Sequence, residues 1–431
     1  MISDTDPCRS DGKKAADLVK EFISGKGMDM KDTYWDFFDS VHKNLSDYYF
    51  RWYFDRPMVI TSQRDEELHR VQELLARSLH YYAEHYREYL EVIPYEKRVL
   101  EILDMTQGKE YHLGTFRPDY IISRNDEIQV CEITSRFFGN GYFLSFFADK
   151  RGRQLAAEAG ITVQDHRMED MLQFFASLAD GYEKVCVVKS ADRSDSIRLY
   201  VPFYTALGKE VTVLEAEEIE EKEDALSHAL ILSALNQKDI LKLPERILKK
   251  MIDGMHYNDF RSVFLAHDKR VFTLFFMDEF TEHFLSEEET AFLRSHVIPT
   301  CVYGRNHEIW EDARAHKDQY ILKHYCLGKS EKVFAGCMTE QEEWEGLWTS
   351  GDVREMILQP FIRQRTCENV WEGERYTEYI AGTILCIDDD YYGTGLFRSS
   401  SLPVLNKGDD RKVGILLTDD WEKFQGNCLL L

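Results

Sequence analysis

The sequence predicts an α+β fold in which a helical N-terminal region precedes a central sheet and an inserted parallel α/β lobe. Three observations lead to this class. Apolar residues recur at helical spacing between about residues 13 and 105. A β-hairpin pattern occupies residues 117–141, and a strand–helix–strand pattern, typical of a parallel α/β layer, occupies residues 182–216.

The size and charge of the chain limit what it can be. Its 431 residues exceed the usual size of one domain, so we expect two or three lobes. A hydrophobic content of 44% and an aromatic content of 13% exclude global disorder. The formal net charge of -24 argues against nucleic acid or an anionic membrane surface as a partner. A small anionic ligand remains compatible, because local basic residues can hold it.

The N-terminus and the cysteines predict a cytoplasmic protein. No apolar run approaches the length of a membrane span, and the first residues, M-I-S-D-T-D-P-C, lack the basic-then-apolar order of a signal peptide. The nine cysteines are scattered without a C-x-x-C pair or zinc spacing. We therefore expect reduced core thiols and no membrane partner.

Four parts are predicted along the chain. Helical spacing is clearest in D-T-Y-W-D-F-F-D-S-V, which begins at Asp32, and in L-H-R-V-Q-E-L-L-A-R, which begins at Leu68. The parts are a helical region at 1–105, a central sheet with the hairpin at 106–180, a parallel α/β lobe at 181–265, and a strand-rich part at 266–431.

The hairpin is the most informative segment. Apolar runs at 120–122 and 128–133 are separated by turn residues at 124–126. The polar residues at the adjacent strand ends are Arg117, Asp119, Glu132 and Thr134. Such a rim can bind a metal and an anionic substrate. The same residues are equally compatible with a surface hairpin closed by a salt bridge between Arg117 and Glu132.

The α/β lobe follows the order strand K-V-C-V-V, helix and strand K-E-V-T-V-L. It contains no G-x-G-x-x-G, so a dinucleotide site is not indicated. After Lys269 we predict a helix, V-F-T-L-F-F-M-D-E-F. Further strands are predicted at Q-Y-I-L-K-H-Y, M-I-L-Q-P-F-I, Y-T-E-Y-I-A-G-T-I-L-C-I and Y-G-T-G-L-F-R, with the turn D-D-D between the last two.

Three residues in the last part fit one nucleotide site. Lys323 ends the strand Y-I-L-K and precedes a loop with Gly328. A fixed ammonium beside backbone amides suits a phosphate, and Lys269, at the end of an extended segment, would share that charge. Gln359 lies in M-I-L-Q-P-F-I, where backbone groups in apolar surroundings can read an adenine edge.

The order of these segments resembles the circularly permuted ATP-grasp ligases, the group with eukaryotic-type glutathione synthetase and glutathionylspermidine synthase. The segments that carry the resemblance are R-P-D-Y, E-I-T, F-F-G-N-G, H-D-K-R-V, V-I-P-T, Y-I-L-K-H, I-L-Q-P-F-I and T-G-L-F-R. It spans roughly residues 110 to 415, and order and spacing carry it, since no single motif is specific. It implies an ATP-grasp-like fold whose nucleotide-binding part is 266–431.

The resemblance also implies a role for each residue. Lys269 and Lys323 would hold ATP phosphates, Gln359 would flank the adenine, and Glu132 would bind Mg²⁺. Arg117 and Arg398 would hold the carboxylate of the acceptor substrate or its acyl-phosphate. Thr134 stands where the family has asparagine, and the loop after Lys323 lacks the family's metal-binding glutamate, so the metal shell departs from the pattern.

The function implied is a Mg-ATP-dependent ligase that joins a small carboxylate to an amine, or less often a thiol, through an acyl-phosphate. The alternative is a degenerate ATP-grasp protein that binds nucleotide or a metabolite without turnover, which the altered metal shell favours. A hydrolase is not indicated, because the chain has no G-x-S-x-G and no histidines spaced as ligands. The sequence leaves the substrates open, and also whether the chain forms a homodimer.

Overall fold

The structure, a computed structural model, is a mixed α/β molecule with several sheets. It describes residues 52–164, 167–191, 197, 199–405 and 411–431. The helical segment predicted from Asp32 lies outside these residues. In the described part of the chain, none of the helices is long and apolar enough to cross a membrane.

The strands, in chain order, are β1 Met58–Ile60, β2 Thr115–Ile122, β3 Ile128–Thr134, β4 Lys184–Lys189, β5 Glu210–Glu215, β6 Ala229–Ala234, β7 Cys301–Val302, β8 Tyr320–His324, β9 Val333–Ala335, β10 Met356–Pro360, β11 Thr366–Trp371, β12 Glu374–Ile387, β13 Asp390–Thr394, β14 Phe397–Ser400, β15 Arg411–Val413, β16 Ile415–Leu417 and β17 Leu429–Leu430.

The α-helices are α1 Ser62–His85, α2 Lys97–Asp104, α3 Tyr142–Glu158, α4 Met168–Ser177, α5 Tyr200–Ala206, α6 Gln237–Ile240, α7 Glu245–Gly254, α8 Val271–Leu274, α9 Asp278–Thr281, α10 Glu287–His296, α11 His307–Ala315 and α12 Gln341–Ser350. One turn of π-helix, Ser262–Ala266, precedes α8.

Helix α1 confirms the helical prediction for the described part of the N-terminal region. Thr61 caps it, since its hydroxyl accepts a hydrogen bond from the Arg64 amide. Its buried face carries the apolar residues at helical spacing, including Leu68, Leu75 and Tyr82. Its exposed face is tied to α10 by ion pairs from Arg70 and Arg77 to Glu289.

The hairpin prediction is confirmed, and the hairpin forms the end of a seven-stranded sheet. The strand order is β15-β14-β12-β2-β3, and β11 and β13 also pair with β12. Asp119 lies opposite Glu132 and Arg117 opposite Thr134, as the strand ends predicted. A bulge follows this pair, so the strand bends beside the two carboxylates.

The α/β lobe is confirmed as a parallel sheet of order β5-β4-β6, with α5 between β4 and β5. All six residues of β6 are buried, because helices and loops cover both faces of a parallel sheet. The loop after β3 docks on this sheet through a hydrogen bond from the Phe138 amide to the Ser233 carbonyl (2.9 Å).

The third sheet is antiparallel, with the order β7-β10-β8-β9. One face carries Leu322 and Leu358, which pack with Trp310 and Trp344 in a separate small core. Residues that pair directly share a face, so the other face carries Lys323 with Ile357 and Ile321 with Gln359. That second face turns towards the hairpin.

The fourth sheet places β1 between β16 and β17, parallel to both. Helix α3 packs on β16 so closely that a Cβ at Gly152 would stand 1.8 Å from the Ile415 carbonyl oxygen. Glycine is therefore required at this helix–strand contact.

The structure departs from the predicted elements in two places. The single helix predicted after Lys269 is divided into α8 and α9 by a break at 275–277, and Lys269 follows the π-helical turn instead of ending an extended segment. The strand predicted as Y-G-T-G-L-F-R is divided at Gly395 into β13 and β14, with β14 crossing to the other part of β12.

A buried ion pair fixes β15 against β12. Arg411 donates to the Glu378 carboxylate, and the Ser399 hydroxyl donates to the same group at 2.6 Å. The Arg411 guanidinium also lies over the Tyr376 ring, 4.2 Å from its centroid. Both members of the pair are buried, so each compensates the charge of the other.

Candidate functional site

Five basic side chains from four segments of the chain converge beside the hairpin rim. We refer to them as the cation cluster: Lys269, Lys323, Arg117, Arg136 and Arg398. Four of them face two carboxylates, Glu132 and Asp119, and Arg136 acts with Lys269 on the neighbouring His267. Cations thus outnumber anions in the group, in a chain whose net charge is strongly negative.

The π-helical turn positions Lys269. π-Helical turns arise where the backbone accommodates an extra residue, and they are frequent at functional sites. The Lys269 amide donates to the Tyr325 carbonyl (2.9 Å). Its Nζ donates to the Leu327 carbonyl (2.6 Å) and lies 3.4 Å from Glu132 Oε2. Lys269 is only 2% exposed, so this ammonium is held in place.

Lys323 reaches the same rim from the four-stranded sheet. Its Nζ lies 3.3 Å from the Cys131 carbonyl oxygen, and its side chain is buried. The sequence prediction that Lys269 and Lys323 face one site is consistent with this geometry, since both point at the 131–132 segment of β3.

Glu132 is ionised because of these neighbours. Burial alone would raise the pKa of Glu132, but the charges of Lys269, Lys323 and Arg398 outweigh it and hold the pKa below its usual value. The salt bridge that the sequence left open, from Arg117 to Glu132, is replaced by the pair of Lys269 with Glu132.

Arg117 and Arg398 come together across the sheet. Arg117 Nε lies 3.0 Å from Asp119 Oδ1, and Arg398 Nη2 lies 3.2 Å from Asp119 Oδ2, although 279 positions separate Arg398 from Asp119. Arg117 also donates to the Asn140 carbonyl (2.9 Å). The two guanidinium groups therefore converge on one protein carboxylate, that of Asp119, and their contact with a substrate carboxylate stays a prediction.

Arg136 was missed by the sequence reasoning. It lies two residues after the end of β3. Its guanidinium lies over the Phe137 ring at 4.5 Å, and Nη1 lies 3.4 Å from the Cys326 carbonyl oxygen. A Cβ at Gly328 would stand 2.9 Å from Nη2. The loop after β8 thus touches both Arg136 and Lys269. A basic residue just after the Glu132 strand end was the available signal.

His267, the first residue of the segment H-D-K-R-V, was given no role in the sequence analysis. It is 3% exposed, and its Nδ1 lies 3.1 Å from the Ile133 carbonyl oxygen. Burial lowers the pKa of His267 well below the usual value, and the charges of Arg136 and Lys269 lower it further. The ring is therefore neutral at pH 7.

An apolar surface of the four-stranded sheet, whose residues are buried or half-buried, adjoins the cation cluster. Ile321, Ile357 and Val333 share the face of Lys323, and Gln359 lies at its far end, 1% exposed. The Gln359 Nε2 donates to Thr300 Oγ1 (2.8 Å), whereas its Oε1 has no hydrogen-bond partner among the described residues. A buried acceptor of this kind is costly unless a donor reaches it.

The described part of the chain does not build a metal centre from protein groups alone. Among the described residues, no three His, Cys, Asp or Glu side chains come together in a way that could hold a metal ion. The expectation of a metal-binding protein site is corrected accordingly, because Glu132 faces ammonium groups. The assignment of Glu132 and Thr134 as ligands of Mg²⁺ stays a prediction for an ion that a phosphate ligand would carry.

In a comparison with known families, residues 72–265 match the model of the AnkG N-terminal domain. The match covers less than half of the chain. It includes α2, the hairpin, the α/β lobe and most of the π-helical turn, and it ends before Lys269. No curated protein matches the chain.

This match corrects the assignment made from the sequence. The matched family is not an ATP-grasp or glutathione synthetase family, so the resemblance to the circularly permuted ATP-grasp ligases was wrong as a family assignment. The carboxylate–amine ligase function, and its alternative of a degenerate member of the same group, depended on that resemblance and are overturned with it. Short motifs without individual specificity had carried the assignment by their order alone.

Proposed function

We propose that the cation cluster binds the phosphates of a small molecule, and that this ligand is a purine nucleoside triphosphate such as ATP. The observation that carries the proposal is the excess of buried, fixed cations around a single rim. Lys269 and Lys323 are buried, and such charges are retained where an anion compensates them. The phosphates would supply negative charge in addition to that of Glu132 and Asp119, and so balance the remaining positive charge of the cluster.

The apolar surface supports a nucleoside in place of a bare phosphate. Lys323 and Gln359 lie on one sheet face with two isoleucines between and beside them. A base packed on this surface would place its polar edge near the Gln359 Oε1, which could accept a hydrogen bond from an exocyclic amine. The phosphates would then extend towards Lys323 and Lys269.

Magnesium enters this proposal as part of the ligand. Mg²⁺ commonly binds one or two carboxylates together with substrate phosphates and water. Glu132 is the ionised carboxylate nearest the lysines, and Thr134 lies two residues further along β3. We propose that they face the ion of a Mg–triphosphate complex.

We also propose a finer description of the fold, an ATP-grasp-like arrangement. An ATP-grasp-like arrangement, with two sheets enclosing a nucleotide, is supported by the four-stranded sheet turning its Lys323 face towards the hairpin. This proposal is about how the two sheets are arranged and not about family membership, because the family assignment has been overturned. It stays a prediction that the chain is an enzyme, and that its partners are small molecules and not nucleic acid or a membrane. An assay of phosphate release from ATP tests whether it is an enzyme.

The test is calorimetric titration with ATP, with and without Mg²⁺, on the parent protein and on Lys323→Met. Loss of a charge-assisted contact should weaken binding by about 1.5–3 kcal/mol, or roughly 10- to 100-fold. Lys249→Met, at an exposed lysine of α7, is the matched control and should bind as the parent does.

Thermal unfolding gives an independent measure. A ligand at about 100 times its dissociation constant stabilises the folded state by about 2.7 kcal/mol. Inorganic triphosphate and adenosine are titrated separately. The first tests binding at the cation cluster, and the second tests binding at the apolar surface. The proposal is overturned if ATP does not bind, or if Lys323→Met binds it as tightly as the parent.

A further inference from the structure

His267 occupies an unusual place beside the cation cluster. It follows the π-helical turn and is buried. Its Nδ1 lies 3.1 Å from the Ile133 carbonyl oxygen, so Nδ1 carries the proton and donates it. Nε2 then keeps its lone pair, and this atom has no hydrogen bond of ordinary geometry among the described residues. A neutral ring is held in one tautomer with an open basic nitrogen.

The groups that face His267 come from three segments. Arg136 follows β3, Lys269 follows the π-helical turn, and Cys326 lies in the loop after β8. The two cations oppose protonation of the ring. The Cys326 thiol is neutral, since burial raises its pKa to about 11, and the Cys326 backbone favours the protonated ring.

We propose that binding of a polyanion at the cation cluster is coupled to the uptake of one proton by His267 Nε2. This inference rests on the proposed function and adds a regulation to it. The proton comes from solvent and forms an N–H bond at Nε2. The Cys326 carbonyl oxygen, which now lies 3.4 Å from Arg136 Nη1, is the acceptor for the new donor.

The coupling follows from which charges a ligand would neutralise. Lys269 Nζ is engaged by the Leu327 carbonyl (2.6 Å), and Arg136 lies beside the Cys326 carbonyl. A polyanion that pairs with both cations removes the repulsion that keeps His267 neutral. The carbonyl released by Arg136 becomes available to the protonated ring.

The sign of the pH dependence follows by linkage. The pKa of His267 is low in the free protein and higher in the complex, so the complex binds more protons. Affinity should therefore rise as pH falls through the pKa of the complex, and level off below that of the free protein. Between these values the slope approaches tenfold in affinity per pH unit.

Trimetaphosphate is the suitable probe, because it stays ionised throughout the range in which histidine titrates, about pH 5 to 8. It is titrated near the middle of this range in two buffers of different ionisation enthalpy, which gives the protons taken up per ligand. The matched variant is His267→Asn, whose amide nitrogen can replace Nδ1 as donor to Ile133 but cannot be protonated.

We expect proton uptake of up to one per ligand in the parent and none in His267→Asn, with the slope of affinity against pH lost in the variant. Equal proton uptake in both proteins overturns the coupling and leaves the proposed function standing. Failure of both trimetaphosphate and ATP to bind overturns both.

A second measurement uses the parent alone, in case the variant does not fold. Nitrogen-15 NMR of the histidine rings distinguishes the neutral tautomer protonated at Nδ1 from the doubly protonated ring. Saturation with trimetaphosphate should convert one ring from the first state to the second. If every ring protonated at Nδ1 alone stays neutral in the complex, the inference fails.

Discussion

Glu132→Gln should change nucleotide affinity in opposite directions with and without magnesium. Glu132 Oε2 lies 3.4 Å from Lys269 Nζ, and its charge opposes any phosphate that approaches the same ammonium. Without metal, glutamine removes this competitor, so ATP should bind more tightly. With Mg²⁺, glutamine removes the anionic ligand of the ion, so the Mg–ATP complex should bind more weakly.

The magnitude follows from the contacts of Lys269. One donor of its ammonium is held by Leu327 at 2.6 Å, and the charge is shared with Glu132. A hydrogen bond to a charged group contributes about 1.5–3 kcal/mol. Releasing part of one such contact should tighten metal-free binding by about 1 kcal/mol, roughly fivefold, and losing the metal contact should weaken Mg–ATP binding by about tenfold or more.

The assay is calorimetric titration of ATP with excess Mg²⁺ and with a chelator. Glu287→Gln, at an exposed residue in the first turn of α10, controls for the change in net charge and should alter neither value. Tighter binding under both conditions would exclude a metal role for Glu132. Weaker binding without metal would contradict the competition between its carboxylate and the phosphates.

Three predictions concern stability, each measured by denaturant unfolding. Gly152→Ala should destabilise the protein by about 1–3 kcal/mol, because the new Cβ would meet the backbone of Ile415. Its control, Gly346→Ala, lies in a helix with open space around it and should stabilise the protein by about 0.5–1 kcal/mol. Equal effects of the two substitutions would contradict the close contact at Gly152. Glu378→Gln should destabilise by about 3–5 kcal/mol, since it removes the carboxylate charge that faces the buried Arg411 guanidinium, against under about 1 kcal/mol for Asp104→Asn in an exposed pair. The pKa of Glu289 is lowered from 4.5 to about 2, first by its hydrogen bond with Arg77. The stabilisation that Glu289 contributes is therefore present above pH 4.5 and lost as pH falls towards 2. The difference in free energy of unfolding between the parent and Glu289→Gln should shrink over that range, and a constant difference would contradict the assignment.

The sequence predicted the elements whose signals are local. The hairpin at 117–134 and the strand–helix–strand lobe were readable because alternation and turn residues lie within a few positions of each other. The break between α8 and α9 was not readable, since an apolar run such as 271–276 fits one helix as well as two. Tertiary packing decides that difference.

The site was predictable only in part for a related reason. Lys269, Lys323 and Glu132 were identified from strand ends, and the structure brings them together. Arg136 belongs to none of the segments that carried the resemblance, and His267 was given no role within its segment. The importance of both appears only when the loop after β8 closes on them. The family assignment was wrong because the order of short, common motifs does not identify a family.

The sheet β16-β1-β17 has a consequence for the synthesis of the chain. Its central strand is made early, but both partners come late: Ser62, just after β1, donates its amide hydrogen to Asp419, 357 positions further along. Until the ribosome has released those residues, β1 has two unpaired edges. Such edges are prone to pair with other chains. Nascent or truncated chains that end before β16 should therefore need a chaperone to stay unaggregated, and the final pairing should be a late and slow step of folding.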